Sequence, residues 1–114
     1  MAEVDSRSAE ERAVEAKESG NALMKRGQLQ ESVHAYSASL LLLPQYLPAL
    51  NNRAQAHLLL RDFRAAEADC CSVLLLEPRN LKALFRRAAA RKELGHSAAC
   101  LADLLAVLSA DPAN

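Results

Sequence analysis

The sequence of 114 residues contains no tryptophan and no isoleucine, and aromatic residues make up only 4% of it. β-Sheets are rich in β-branched and aromatic side chains, so this scarcity argues against a β-rich fold. Alanine and leucine, with 23 and 21 copies, are the most abundant residues, and both are strong helix formers. The composition therefore predicts an all-α protein of a single domain.

The sequence also lacks an excess of charge, because 14 lysines and arginines balance 14 aspartates and glutamates. Nucleic-acid binding depends on clustered positive charge, so a neutral chain is not a general nucleic-acid binder. The leucine run at residues 40–43 is far shorter than the ~20 apolar residues that cross a membrane. We therefore expect no nucleic-acid partner and no membrane span.

Cysteine and glycine are scarce, with three residues of each. The cysteines at 70, 71 and 100 have no zinc-site spacing, and we interpret them as small apolar residues in a reducing compartment. The glycines form no phosphate-binding loop, and residues 1–12 are polar with no apolar signal core. We expect a cytoplasmic protein that is not an enzyme and holds no metal or cofactor.

Proline is the most informative residue that is present. Pro44, Pro78 and Pro112 follow one another at intervals of 34 residues. A fixed period of 34 is typical of a helix–turn–helix unit that stacks on copies of itself, with proline where a second helix ends. Together with a capping box at Ser8 and Glu11, the pattern predicts six helices, at residues 9–26, 30–43, 48–60, 63–76, 81–94 and 97–109.

The predicted helices pair into three repeats, 13–46, 47–80 and 81–114, after a polar lead-in at residues 1–12 that includes the start of the first helix. Position 8 of the repeat is always small, which lets two helices approach closely, and its residues are Gly20, Ala54 and Ala88. Position 11 departs from the apolar pattern at His57 and Arg91. We expect His57 to be packed, and Arg91 either to snorkel from the core edge or to leave the third repeat loosely packed.

One face of each first helix carries polar side chains, because residues three or four apart share a helix face. In the first repeat this face holds Lys17 and Asn21, in the second it holds Asn52, and in the third it holds Lys82 and Arg86. Asparagine is a poor helix former, so its presence on this face in two repeats carries weight. Cations and amide donors together suit carboxylates, so the pattern predicts a site for an acidic chain end.

The repeats resemble the tetratricopeptide repeat over nearly the whole chain, which implies a right-handed superhelical stack with an inner groove. Within that groove, the pattern Lys-x-x-x-Asn, Asn-Arg and Lys-x-x-x-Arg resembles the dicarboxylate clamp of chaperone adaptors. This resemblance implies a co-chaperone module that binds the C-terminal Glu-Glu-Val-Asp tail of the 70- and 90-kilodalton heat-shock chaperones.

The resemblance also implies a role for each groove residue. Four of them would hold the carboxylates of the terminal aspartate, namely Lys17, Asn21, Asn52 and Lys82. Arg86 would reach a carboxylate or carbonyl further up the peptide. Apolar contacts to the aliphatic residues of the peptide would come from Met24, Leu59 and Phe85.

Two other functions remain open from the sequence. The last helix is apolar over a wide arc that nothing follows to cover, comprising Leu101, Leu104, Leu105, Val107 and Leu108. The domain could therefore be a structural scaffold that binds another protein or itself through this face, with Asn114 as a cut edge. Alternatively, it could be the targeting domain of a larger enzyme, as similar modules are in isomerases and phosphatases.

Overall fold

The structure is a computed structural model that describes residues 6–110. These residues form six helices and no strand: α1 (Ala9–Lys25), α2 (Leu29–Leu42), α3 (Leu47–Leu59), α4 (Phe63–Leu76), α5 (Leu81–Glu93) and α6 (Ser97–Ala110). All six predicted helices are present, and each boundary lies within one residue of its predicted place. The first part of the lead-in and the end of the third repeat, with Pro112 and Asn114, lie outside the described residues.

Local signals in the sequence account for the helix ends. The Ser8 hydroxyl accepts a hydrogen bond from the Glu11 backbone N–H at 3.1 Å and donates one to the Glu11 carboxylate at 3.2 Å. Asp62 and Asn80 cap α4 and α5 through their side-chain oxygens, which satisfies an unpaired N–H at each helix start. Pro44 and Pro78 each lie two residues past a helix end, since proline cannot continue a helix, whereas Pro48 lies in the first turn of α3, where proline is tolerated.

The turn inside each repeat has the same backbone conformation. Gly27, Arg61 and Gly95 adopt left-handed φ angles of 76°, 62° and 81°. After each of them, a backbone N–H bonds to the carbonyl five residues earlier, as from Gln28 to Leu23 at 2.9 Å, which is a Schellman C-cap. Glycine takes this conformation freely, whereas a Cβ makes it unfavourable at Arg61 by about 1–2 kcal/mol.

The helices pair as α1 with α2, α3 with α4, and α5 with α6, and each pair packs on the next. The first helices also contact one another, α1 with α3 and α3 with α5. The second helices α2, α4 and α6 make no such contact with one another in the part of the chain that is described. The stack is therefore closed on the side of the first helices and open on the other, so α1, α3 and α5 line the inner side.

The core follows the interfaces between successive helices. Position 8 of the repeat is buried in all three copies, as predicted. The main cluster contains residues from each of the five helices α2 to α6, among them Leu50, Val73 and Leu84. Val107 belongs to this cluster and is only 4% exposed, so the prediction that it lies on the open face of α6 is wrong. The other four residues of that face are exposed, namely Leu101, Leu104, Leu105 and Leu108.

In the second and in the third repeat, an arginine–aspartate pair joins the two helices of the repeat. Arg53 donates to both carboxylate oxygens of Asp69 at 2.8 and 2.7 Å. Arg87 does the same to Asp103, at 3.0 and 2.7 Å. Each bond favours the charged guanidinium, so the carboxylates raise the pKa of Arg53 and of Arg87. Equivalent members of the two pairs lie 34 residues apart, a signal in the sequence that the prediction missed.

The two unusual residues at position 11, His57 and Arg91, lie beside the aspartates of these two pairs. Arg91, whose side chain is 19% exposed, donates to Glu67 and to Asp103, both at 2.9 Å. Ion pairs rather than loose packing therefore accommodate its charge at the edge of the core. His57 is packed as predicted, with its Nε2 3.7 Å from an Asp69 oxygen.

The left-handed turn at Arg61 predicts that Arg61→Gly stabilises the protein by about 1 kcal/mol, because glycine removes the Cβ clash. The variant loses the contact of the guanidinium with the Phe63 ring, 5.2 Å from its centroid, and an exposed ion pair of small value. Urea unfolding followed by circular dichroism measures the change. Arg61→Ala is the control, because it removes the same side-chain contacts but keeps the Cβ, and it should not be stabilised.

The shared acceptor Asp103 predicts a large effect of Asp103→Asn. The substitution keeps the shape of the side chain but removes the charge that faces both Arg87 and Arg91, and we expect a loss of about 3 kcal/mol in unfolding free energy. Glu67→Gln breaks only one of the two pairs of Arg91 and should lose less than about 1 kcal/mol. Equal losses in the two variants would contradict this interpretation.

Candidate functional site

The inner side of the stack brings the two predicted asparagines into direct contact. Asn52 on α3 donates from Nδ2 to Oδ1 of Asn21 on α1, at 2.8 Å. The hydroxyl of Tyr36, on α2, donates to the same oxygen at 2.6 Å. The two acceptor positions of this oxygen are then both used within the protein, so Asn21 can offer a ligand only its Nδ2 donor.

Tyr36 reaches Asn21 from behind the groove because Gly20 leaves room for its ring. The side chain of Tyr36 is fully buried, and a Cβ added to Gly20 would lie 2.5 Å from a ring carbon. Burial raises the pKa of the Tyr36 hydroxyl, so this group stays protonated and able to donate at neutral pH. Tyr36 is therefore a core residue that also makes a polar contact with the groove, which the helix periodicity alone does not indicate.

A recess next to the asparagine pair combines polar and apolar walls. Four of the predicted groove residues line it, together with Lys25 and Tyr36; the four are Asn21, Met24, Asn52 and Leu59. Leu59 is 54% exposed and contributes an apolar surface to the open side. Amide donors and an apolar wall therefore face the same small volume.

Arg86, on α5, is held against α3 by two acceptors. Its Nε donates to the Gln55 side-chain oxygen at 3.1 Å, and its Nη1 donates to the Asn51 carbonyl oxygen at 3.0 Å. Burial lowers the pKa of Arg86, but an arginine remains charged at neutral pH. Within residues 6–110 the Nη2 group has no acceptor, so it is available to a ligand while the rest of the guanidinium is fixed.

The two predicted lysines lie on α1 and α5, the inner-side helices on either side of α3. Lys17 precedes Asn21 by four residues on α1, and Lys82 precedes Arg86 by four on α5, so each lysine shares a helix face with its partner. Lys82 is exposed and Lys17 is half-buried. Phe85 is 53% exposed on α5 but is not among the residues that line the recess.

The inner side therefore carries donors from three helices, and hydrogen bonds connect part of this set. The structure joins Asn21 to Asn52 directly and links Arg86 to α3 through Gln55. Helix periodicity also places Gln55 on this inner face, but its role as a positioning group for Arg86 was not predicted. The sequence signal for this contact is the spacing of 31 residues between Gln55 and Arg86, which is the same as the spacing between Asn21 and Asn52.

The described part of the chain gives little support to metal binding or to membrane crossing. Residues 6–110 contain no cluster of three or more histidines, cysteines or carboxylates placed to hold a metal ion. None of the helices α1 to α6 combines the length and the apolar character that a membrane crossing requires. The polar inner side is thus the strongest candidate for a binding site.

Known proteins give an independent comparison. No protein-family model matches the sequence. Over 64 residues, 56% of the chain, it is 41% identical to the mitochondrial import receptor subunit TOM34 of Rattus norvegicus, and this match spans only 21% of that protein.

Solved structures match over nearly the whole chain. The first TPR domain of Spaghetti (RPAP3), bound to the HSP90 peptide SRMEEVD, has a TM-score of 0.88 and 31% identity, over 96% of this chain and 87% of that one. The second TPR domain of human RPAP3, in complex with the HSP70 peptide SGPTIEEVD, has a TM-score of 0.87 and 29% identity, over 93% and 88% of the two chains.

The close approach of Gly20 to the Tyr36 ring predicts that Gly20→Ala destabilises the protein. A methyl group 2.5 Å from a buried ring must displace it, and overpacking of this kind costs about 1–3 kcal/mol, more than the roughly 1 kcal/mol that alanine gains in helix propensity. Thermal unfolding followed by circular dichroism measures the loss. Ser19→Ala, at the exposed neighbouring position, is the control, and equal stability of the two variants would contradict the prediction.

Proposed function

This chain belongs to the tetratricopeptide repeat family, and we propose that it is a protein-interaction module that binds the acidic C-terminal tail of heat-shock chaperones. The observation that carries the proposal is the Asn21–Asn52 pair on the inner side, with cationic residues on both flanks. The peptides bound to the two RPAP3 domains both end in Glu-Glu-Val-Asp. The module would thus act as a co-chaperone or chaperone adaptor.

In this proposal the terminal aspartate of the tail supplies two carboxylates. Asn21 Nδ2 and the second hydrogen of Asn52 Nδ2 would donate to one carboxylate, since Asn21 Oδ1 and the first hydrogen of Asn52 Nδ2 are already engaged. Lys17 and Lys82 add positive charge from α1 and α5. Arg86 uses its Nη2 group to bind a carboxylate or carbonyl further up the peptide.

The apolar side chains complete the proposed contact. Met24 and Leu59 line the recess beside the asparagines, where they would contact an aliphatic side chain near the end of the peptide. Phe85 is exposed further along α5 and would meet a residue upstream.

The number of donors sets the affinity that we expect. A hydrogen bond to a charged group contributes about 1.5–3 kcal/mol, and three or four of them must offset the ordering of the peptide. The balance corresponds to a binding free energy of about −8 kcal/mol, or a micromolar dissociation constant. Because the contacts are ionic, we expect the affinity to fall as salt is added.

We also propose that the module has no catalytic activity of its own, that it works in the cytoplasm and that its repeats span residues 13–46, 47–80 and 81–114. Cys70, Cys71 and Cys100 are free thiols, which fits a reducing compartment.

The exposed face of α6 supports a second candidate, a scaffold that binds another protein or itself. The four leucines of this face are 40% to 60% exposed, which is unusual for a row of large apolar side chains. Light scattering of the purified chain tests self-association, and a strict monomer would count against it. The two functions use different surfaces of the stack and are compatible.

The proposed clamp predicts that Lys82→Glu weakens binding of the peptide SRMEEVD at least about thirtyfold, because a cation beside a carboxylate becomes an anion. Isothermal titration calorimetry measures the affinity, and circular dichroism checks that helicity is unchanged. The matched control is Arg64→Glu, which makes the same change of charge at an exposed position of α4, on the outer side.

Undiminished binding by the Lys82→Glu variant would refute the proposed function. Titration of the wild-type chain with SRMEEVD and SGPTIEEVD side by side measures its preference between the two chaperone tails. The same peptides with a C-terminal carboxamide lose one carboxylate, and we expect them to lose most of their affinity.

A further inference from the structure

A hydrogen-bonded pair of asparagines can adopt two arrangements, because each amide carries both a donor and an acceptor. In the structure Asn52 donates from Nδ2 and Asn21 accepts with Oδ1. If both amides rotated by half a turn, Asn21 would donate to Asn52 instead. Asn21 would then turn an oxygen toward the groove, which repels a carboxylate but accepts from the N–H₂ group of a carboxamide.

Tyr36 makes these two arrangements unequal. Its hydroxyl has one hydrogen, which it donates to Asn21 Oδ1 at 2.6 Å, at the short end of the range for O–H···O bonds. The other acceptor within reach is the Met24 thioether sulfur at 3.7 Å, which accepts weakly. In the rotated arrangement the Tyr36 oxygen would have to accept from Asn21, and its hydrogen would be left with the sulfur.

We propose that Tyr36 is a positioning residue that fixes the amide orientation of Asn21, and that it thereby makes the groove select a free C-terminal carboxylate over a carboxamide. Tyr36 is buried, with its ring at the back of the recess, and its hydroxyl donates to Asn21, so it acts on the carboxylate through this asparagine. The inference rests on the proposed function, since it concerns how the same groove distinguishes its ligands.

The substitution Tyr36→Phe isolates the hydroxyl from the ring. Phenylalanine fills the same space beside Gly20 and keeps the apolar contacts of α2. Asn21 keeps its bond to Asn52 but loses the donor that distinguished its two orientations. We expect the affinity for the free-carboxylate peptide to fall about tenfold and the affinity for the carboxamide peptide to stay the same, as fits the loss of one hydrogen bond.

The experiment is a calorimetric titration of wild-type and Tyr36→Phe protein with SRMEEVD carrying either a free carboxylate or a carboxamide. The quantity of interest is the ratio of the two dissociation constants, which we expect to shrink about tenfold in the variant. Ser39→Ala is the matched control. It removes another buried hydroxyl of α2, one that donates to the Ala13 carbonyl at 2.7 Å, and should lower stability without changing the ratio.

Two results would overturn the inference. An equal loss for both peptides in Tyr36→Phe would assign Tyr36 a structural role alone, and unchanged affinities for both peptides would show that Asn21 needs no such support. In either case wild-type binding of the free-carboxylate peptide leaves the proposed function intact. If the wild-type chain binds neither peptide, the proposed function and this inference fail together.

A second measurement does not depend on the folding of the variant. The Asn21 Nδ2 side-chain resonances of the wild-type protein should shift when the free-carboxylate peptide binds, because this group donates to the ligand. A carboxamide peptide at the same saturation should shift them much less. Resonances that respond equally to the two peptides would contradict the assigned orientation.

Discussion

The structure depends on the packing of each helix pair against the next, because no single repeat can bury its own apolar face. This stacking brings α3 against both α2 and α1, and α5 against both α4 and α3. One consequence is that residues 31 apart in the chain meet on the inner side, as Asn21 meets Asn52 and Gln55 meets Arg86. The same packing that stabilises the fold therefore assembles the candidate site.

Charge is unevenly distributed within the stack, although the chain as a whole has a formal net charge of zero. Three arginines of the second and third repeats are neutralised internally, because Arg53, Arg87 and Arg91 bond to nearby carboxylates. Three cationic residues of the inner side form no such ion pair with a carboxylate in the described part of the chain, namely Lys17, Lys82 and Arg86. A formal net charge of zero thus conceals a local excess of positive charge in the groove.

Much of this could be read from the sequence, because proline spacing and capping residues are local signals. Helix faces follow from periodicity, so the placement of Asn21 and Asn52 on one side was also predictable. The Tyr36 hydroxyl bond was not, since it depends on a ring that passes over Gly20 from another helix. Arg61 was missed for a different reason: the equivalent turn residues of the other two repeats, 34 residues away on either side, are glycines, and an arginine gives no local sign of a left-handed φ angle.

The open spacing of α2, α4 and α6 leaves room for the curvature of the array to change. Because the backbones of these helices do not approach one another closely within residues 6–110, a change of curvature would disturb few backbone contacts on the outer side, with the first helices as the pivot. The helices α1 and α5 approach or separate as the curvature changes. A ligand that bridges them would fix one curvature and so stiffen the protein along its whole length.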